Sequence, residues 1–494
     1  AVGLSLLSAF ALGWLRADGP PPAGATTGEA APGVRRPNVV LIVLDTQRAD
    51  FLGAYGHRGN LSPRFDELAR EGTLFENAFA TSYWTVPSHA SLFTGLHPIS
   101  HGASFEHHRY LEDRFLTIAE RLRDAGYQTT AFTANHYVEF ANLHQGFERR
   151  RMIGERFQGL ALRRLLEVVG FPAKWIDQGA ADGVGQIADA LAGEIRKDRP
   201  VFMFVNLLEP HWRYLPPLPD RRATLPDGLG LFTATRISVQ FYAPEVMGGR
   251  RIEGPVREAI TALYSADVRY QDRMFGRVID LLRRHLDLDE TLLIVTADHG
   301  ENLGEAGRWD HAFALNDHLI RVPLLIRYPK RFPPGLRLSE LCQLTDVTAT
   351  ITDVTGVEGL PGSQGRTLVP DAFRPREWIV AEGDPILTQI AAIAVFAGAK
   401  ADLRPYSALL RAVRTERFKY VHSSTGPAVL HDLRKDADEM NDVTAAHPDV
   451  AENLRETLGG WLASQEAYRA SPPAAVEPAD PELQERLRAL GYVQ

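Results

Sequence analysis

The chain holds a single cysteine, Cys342, in 494 residues. One thiol forms neither an intramolecular disulfide nor a multi-cysteine metal site. The redox compartment is therefore left open by composition, and Cys342 reads as a small core residue rather than a reactive thiol. Net positive charge is lacking too. The formal charge is −8 and no basic stripe offsets it, which argues against a nucleic-acid partner. An acidic protein that takes an anionic ester needs a local cation, so this balance points toward a metal. Also missing is an apolar run of the ~20 residues that span a bilayer. The longest candidate, residues 1–15 (AVGLSLLSAFALGWL), is too short as it stands.

That short run reads as part of a signal segment or membrane tether, followed by a Pro-, Gly- and Ala-rich linker to residue 36. The expectation is an exported protein, periplasmic or extracellular. Hydrophobic content of 45% and charged content of 23% suit a globular chain with a large core. From Pro37 the pattern alternates apolar strand, polar loop and amphipathic helix. Strands are expected at Asn38–Leu44, Thr130–Thr133, 201–208, 291–295 and 322–326. Uninterrupted apolar runs suit strands buried on both faces, as in a mostly parallel sheet sandwiched by helices. Helices are expected over 64–71 (after Ser62, with Pro63 at its first position), 117–125, and 273–286. Past about residue 370 the rhythm changes. A strand is read over 411–422, a second over 429–433, and helices over 448–465 and 481–490. The fold class is therefore α/β, with a catalytic domain over 37–370 and a smaller α+β subdomain over 371–494.

In such sheets ligands bind beyond the carboxyl ends of the strands. Several strands deliver ionisable or amide side chains there: Asp45, Asn135 and His136, Glu209 and His211, Asp298 and His299. Carboxylates with an imidazole suit a divalent cation. Thr85 precedes Val86-Pro87, which begins a helix; its hydroxyl reads equally as an N-cap or as a group at an oxyanion cradle. Arg48 and Asp50 order the loop after the first strand or touch substrate. Glu209 serves as a metal carboxylate or a turn former, and His101 reads as structural.

The runs PNVVLIVLDTQRADFLGAYG, TVPSHASLFTGLHPISHG, TADHGENLGE, RVPLLIRYP, LTDVTATITDVTGV, RAVRTERFKYVH and the closing LRALGY resemble, in order and spacing, the sulfatase family of the alkaline-phosphatase superfamily. The resemblance covers roughly residues 37–494. It implies the alkaline-phosphatase-like fold and hydrolysis at sulfur or phosphorus. By position it implies that Asp45, Asp298 and His299 hold one divalent metal together with Thr85, which occupies the nucleophile position. His211 is similar to a substrate-binding histidine, and His311 stands near a basic residue that contacts ester oxygens. His89, Asn135 and His136 fall at substrate-binding positions where the family carries other residues.

The departures shape the expected chemistry. The family reads Cys (or Ser)-x-Pro-x-Arg where this chain has Thr85-Val86-Pro87-Ser88-His89, and a second aspartate is replaced by Thr46. Formylglycine forms by oxidation of a primary carbon, and threonine carries a methyl there. A Thr-bound intermediate is instead released by attack of water or an alcohol at phosphorus or sulfur. The expected function is thus metal-dependent hydrolysis of sulfate or phosphate esters. A phosphoethanolamine-transferase-like phosphotransferase and a non-catalytic binding protein are the alternatives. Zn²⁺ or Mn²⁺ is favoured, with Ca²⁺ and Mg²⁺ behind. The expected partner is a small anionic ester, such as one built on a sugar or lipid head group.

Overall fold

The computed structural model describes residues 36–468 apart from 106–108, 155–178, 242–245, 248, 250–251, 253 and 398–401. The apolar run at 1–15, the linker up to residue 35 and the helix expected at 481–490, with its LRALGY motif, lie outside the described residues. Among the described residues no helix is long and apolar enough to cross a membrane.

The central strand, β1 (Asn38–Leu44), explains the architecture. Successive side chains on a strand point to opposite faces. Val39, Leu41 and Val43 enter one core cluster, and Val40, Ile42 and Leu44 enter another on the far side. A strand apolar on both faces must be covered twice. Helices do this, as the continuous apolar run requires.

The large sheet also contains β2 (Thr73–Phe79), β3 (Gln128–Thr133), β4 (Arg149–Met152), β5 (Val201–Leu207), β6 (Thr291–Thr296), β9 (Arg321–Arg327) and β10 (Arg337–Gln343). The short β7 (Asn302–Leu303) and β8 (Trp309–Asp310) pair in a separate ribbon. Strand order in the large sheet is β10-β2-β9-β6-β1-β5-β3-β4. Every pairing is parallel except those of β9, which runs antiparallel to both β6 and β2. The four neighbours β6, β1, β5 and β3 therefore end on one edge, and their loops converge.

A smaller antiparallel sheet of β11 (Trp378–Gly383), β12 (Leu410–Thr415), β13 (Phe418–Ser423) and β14 (Val429–Asp432) follows in that order. Leu454, Leu458 and Trp461 of the Pro448–Ser464 helix pack on its Val380, Val413, Tyr420 and Leu430. The single strand expected over 411–422 is a hairpin. Thr415 Oγ1 accepts the Phe418 N–H at 2.9 Å, which closes a turn at Glu416-Arg417. The helix expected from 273 is the second half of a 32-residue helix, Gly254–His285. Its first half was masked in the pattern because Asp267, Gln271 and Asp272 are buried on the face where apolar residues would be expected.

One of those polar residues holds a neighbouring helix. Asp272 accepts the Arg64 and Phe65 N–H groups at 3.0 and 2.8 Å, capping the Pro63–Glu71 helix from outside. Ser62, which stands in the N-cap position, makes no capping bond and instead accepts from Gly53 N–H. Asp272→Ala should therefore cost about 1–2 kcal/mol, as for loss of a helix cap. Ser62→Ala should leave the 63–71 helix capped. Urea denaturation of both variants reads the difference.

Candidate active site

Four side chains expected at the strand ends meet. Asp45, Asp298 and His299 are fully buried, and each offers a ligand atom within 4.8 Å of the others. Asp45 leaves β1, while Asp298 and His299 follow the adjacent β6. Thr85, from the Thr85–Thr94 helix, joins them through Asn135. The Asn135 Nδ2 group donates to Asp45 Oδ2 at 2.8 Å and to Thr85 Oγ1 at 3.3 Å. Which way this amide faces is fixed, because its Oδ1 caps the next helix by accepting the Tyr137 N–H at 3.0 Å.

The Thr85 hydroxyl is not an N-cap. The helix begins at Thr85 itself, with Trp84 in the capping position and extended (φ −146°, ψ 166°). The hydroxyl is left facing the carboxylate cluster at the positive end of the helix. Beneath it, His89 Nδ1 donates to Thr85 O at 3.0 Å and lies 3.5 Å from Asp298 Oδ2. The His89 ring is fully buried and edge-on to Phe93 and Phe204. It supports the cluster from the core side. His136 begins the helix after Asn135 and stacks on Phe140 at 5.8 Å.

The ligand geometry can be checked atom by atom. Asp45 Oδ2 takes Asn135 and, at 3.2 Å, Asn206. Asp298 Oδ1 takes the backbone N–H groups of Thr46 and His299 at 3.2 and 3.0 Å. His299 Nδ1 donates to Gly300 O at 2.9 Å. The remaining atom of each residue, Asp45 Oδ1, Asp298 Oδ2 and His299 Nε2, is buried with no hydrogen-bond partner among the described residues. Asp298 Oδ2 and the unprotonated His299 Nε2 face each other at 3.3 Å. Two lone pairs at that distance repel unless a cation lies between them. Burial, helped by neighbouring His311, pushes the His299 imidazole well below its ordinary pKa, so a proton is a poor candidate for that cation. Burial and the Asp298 charge raise the Asp45 carboxyl in turn. The donor set fits a divalent metal ion.

A second trio stands beside the first. The His311 ring lies 4.7 Å from His299 and 4.9 Å from His211, between centroids. Burial opposes a charge on His311, but Asp310 Oδ1 at 2.9 Å and Glu301 at 3.4 Å from Nδ1 overcome it and raise the imidazole well above its ordinary pKa. Glu301 and Asp310 were not identified from sequence; the hints were the place of Glu301 in the same motif as His299 and of Asp310 next to His311. Glu301, Asp310 and His311 also form a set that could hold an ion, yet they satisfy one another through His311 Nδ1.

Arg48 orders the loops. Its guanidinium makes a two-pronged pair with Asp50 (2.9 and 2.7 Å), reaches Glu305 at 2.8 Å, and donates to Glu301 O at 3.1 Å. The loop after β1 is thereby tied to the loop after β6. Glu209 lies outside the ligand set, and its Oε1 accepts the Ala180 N–H at 3.4 Å, where the Ala180–Gly193 helix begins. His101 is structural, between Ser91 Oγ and the Ala103 N–H.

Buried carboxylates and an imidazole at the ends of parallel strands, with a hydroxyl at a helix N-terminus, suit a hydrolase of anionic esters. The comparisons agree. Residues 37–357 match the sulfatase family, and the chain belongs to it. It is 28% identical over 466 residues to a choline-sulfatase of Rhizobium meliloti, covering 83% of this chain and 82% of that one. A multifunctional alkaline phosphatase superfamily protein, PehA of Trinickia caryophylli, is 26% identical over 88% of this chain and 98% of its own. In fold the chain is similar to the phosphonate monoester hydrolase of Agrobacterium radiobacter (TM-score 0.69, 24% identity, 89% and 100% covered). The protein is a sulfatase-like ester hydrolase of the alkaline-phosphatase superfamily.

If the cluster holds a metal, a divalent ion at a hundred times its Kd should stabilise the protein by about 2.7 kcal/mol. Thermal unfolding with added Zn²⁺ or Mn²⁺ should show this gain, and Asp298→Asn should lose it. An equal response in the variant would place the metal elsewhere.

Proposed function

We propose that this protein hydrolyses sulfate or phosphate esters with Thr85 as nucleophile and one divalent metal held by Asp45, Asp298, His299 and the Thr85 hydroxyl. The observation that carries this reading is the Asn135 bridge, which holds Thr85 Oγ1 against the same carboxylate whose other oxygen is unpartnered. Two carboxylates, one imidazole and one hydroxyl favour Zn²⁺ or Mn²⁺ over Ca²⁺ or Mg²⁺. Bound there, the ion supplies positive charge that lowers the pKa of the hydroxyl and neutralises an ester oxygen.

The chain's own groups do the rest. Asn135 aims Thr85 Oγ1, which attacks sulfur or phosphorus as the bond to the leaving alcohol breaks. His311, kept cationic by Asp310 and Glu301, and His211 beside it face the charge that develops on the ester oxygens. Water then attacks the Thr85 ester, the new acid departs, and the hydroxyl is regained. Because threonine gives no aldehyde, release proceeds by this second attack at sulfur or phosphorus, and an alcohol acceptor in place of water would make the protein a transferase. Export, with residues 1–36 as leader and linker, and a division near residue 370 into catalytic and C-terminal parts complete the proposal.

Thr85→Ala should lower kcat at least about a thousandfold on an aryl ester while metal content is kept, as for loss of a nucleophile. Thr85→Ser should retain part of the rate. Turnover by the alanine variant at the wild-type rate would remove Thr85 from the reaction.

A further inference from the structure

One face of the small antiparallel sheet packs with room to spare. Tyr420 and Leu430 turn to the Pro448–Ser464 helix. Side chains alternate along a strand, so their neighbours Val421 and Val429, paired across β13 and β14, turn the other way, as does Leu410 on β12. That face meets the segment 308–316, which carries Asp310 and His311, and the two do not close on each other. Between them lies a cavity of about 160 Å³ whose walls include Leu410, Val421, Val429 and Phe313.

Arg308 also lines this cavity. Its Nη1 atom is buried with no hydrogen-bond partner among the described residues. The carboxylates close to it in the chain or across the cavity are engaged elsewhere. Glu305 pairs with Arg48 at 2.8 Å, Asp310 with His311 at 2.9 Å, and Glu439 with Lys419 at 2.7 Å. Asp317 pairs with Arg414 and Lys419 at 3.1 and 2.5 Å. Shielding a guanidinium from water without a counter-charge is costly. A mineral anion would satisfy that charge and leave the hydrocarbon walls uncovered; a neutral ring would do the reverse. Size narrows the choice further, since an apolar cavity of about 150 Å³ accepts one benzene ring.

We infer that this cavity is a binding site for a small organic monoanion, its carboxylate on Arg308 and its ring-sized apolar body against Phe313 and Val421. None of the lining residues belongs to the carboxylate cluster, so the site stands whether or not that cluster holds a metal. Arg308 and Phe313 lie three residues before and two after His311, and the occupant therefore grips that segment on both sides.

Benzoate, titrated by calorimetry into the full protein, should bind one to one. Benzamide keeps the ring and loses the charge, and it should bind about tenfold more weakly or worse, as for loss of a charged hydrogen bond. Equimolar sulfate, which has charge and no apolar body, should not displace benzoate. Arg308→Met should weaken benzoate by the same factor and leave benzamide as it was, while Asp298→Asn should leave benzoate unchanged. Wild-type affinity for benzoate in Arg308→Met, or its loss in Asp298→Asn, would place the anion elsewhere and overturn the assignment. Displacement by sulfate, or benzamide binding as tightly as benzoate, would overturn the ligand class. If benzoate does not bind at millimolar concentration, the inference falls.

Discussion

Two carboxylates and an imidazole buried against one another are the constraint on which the site depends. Asp45 and Asp298 lie side by side at full burial, and the imidazole beside them is held neutral. Isolated buried charge costs several kcal/mol even after relaxation. Asp45, Asp298 and His299 each direct one atom to the protein and leave another without a partner among the described residues, an arrangement that fits metal ligands oriented by outer hydrogen bonds. Asn135, Asn206, the Thr46 N–H and Gly300 O are as much a part of the cluster as the three side chains they hold. Without them the carboxylates could rotate and pair elsewhere.

Holding those groups strains the backbone. Thr46 sits at φ 52°, a left-handed conformation that a β-branched residue rarely adopts. The turn is used twice: its N–H reaches Asp298 Oδ1, and its C=O accepts the Tyr264 hydroxyl at 2.8 Å. Tyr264 OH in turn takes the Arg48 N–H. Where the family pattern has a second carboxylate, this chain thus offers a backbone donor clamped by the long helix. Gly300 is constrained similarly, since a Cβ there would lie 2.0 Å from His318 O. The loops after β1 and β6 are locked by Arg48 and by close approach, not by burial alone.

Much of this frame was readable in the sequence because unbroken apolar runs carry a strong signal. β1, β5, β6 and β9 were placed within a residue or two, and the acidic or amide residues just past β1, β3 and β6 proved to share a site. What escaped notice was polar or split. β4 reads Arg-Arg-Arg-Met at the sheet edge, β10 exposes half its length, and the first half of the long helix buries an aspartate pair and a glutamine. Such segments are specified by partners distant in sequence, which no local period records. The same holds for Glu301 and Asp310, whose part depends on the His311 ring lying between them.

The histidines show why position in a motif cannot substitute for surroundings. His299 donates its Nδ1 proton to a backbone carbonyl and stays neutral, which suits a metal ligand. His311, 4.7 Å away, has carboxylates at the equivalent nitrogen that raise its pKa well above the ordinary value, which suits an oxyanion contact. His89 places its ring among phenylalanines and touches the site only through its Nδ1 edge. The three rings differ in their surroundings: His299 and His89 each turn Nδ1 to a backbone carbonyl, one in the carboxylate cluster and one among phenylalanines, and His311 turns it to Asp310 and Glu301. Asp310 also accepts from Gln389 Nε2 at 3.3 Å, so the carboxylate beside His311 is itself held from the Leu387–Ala397 helix.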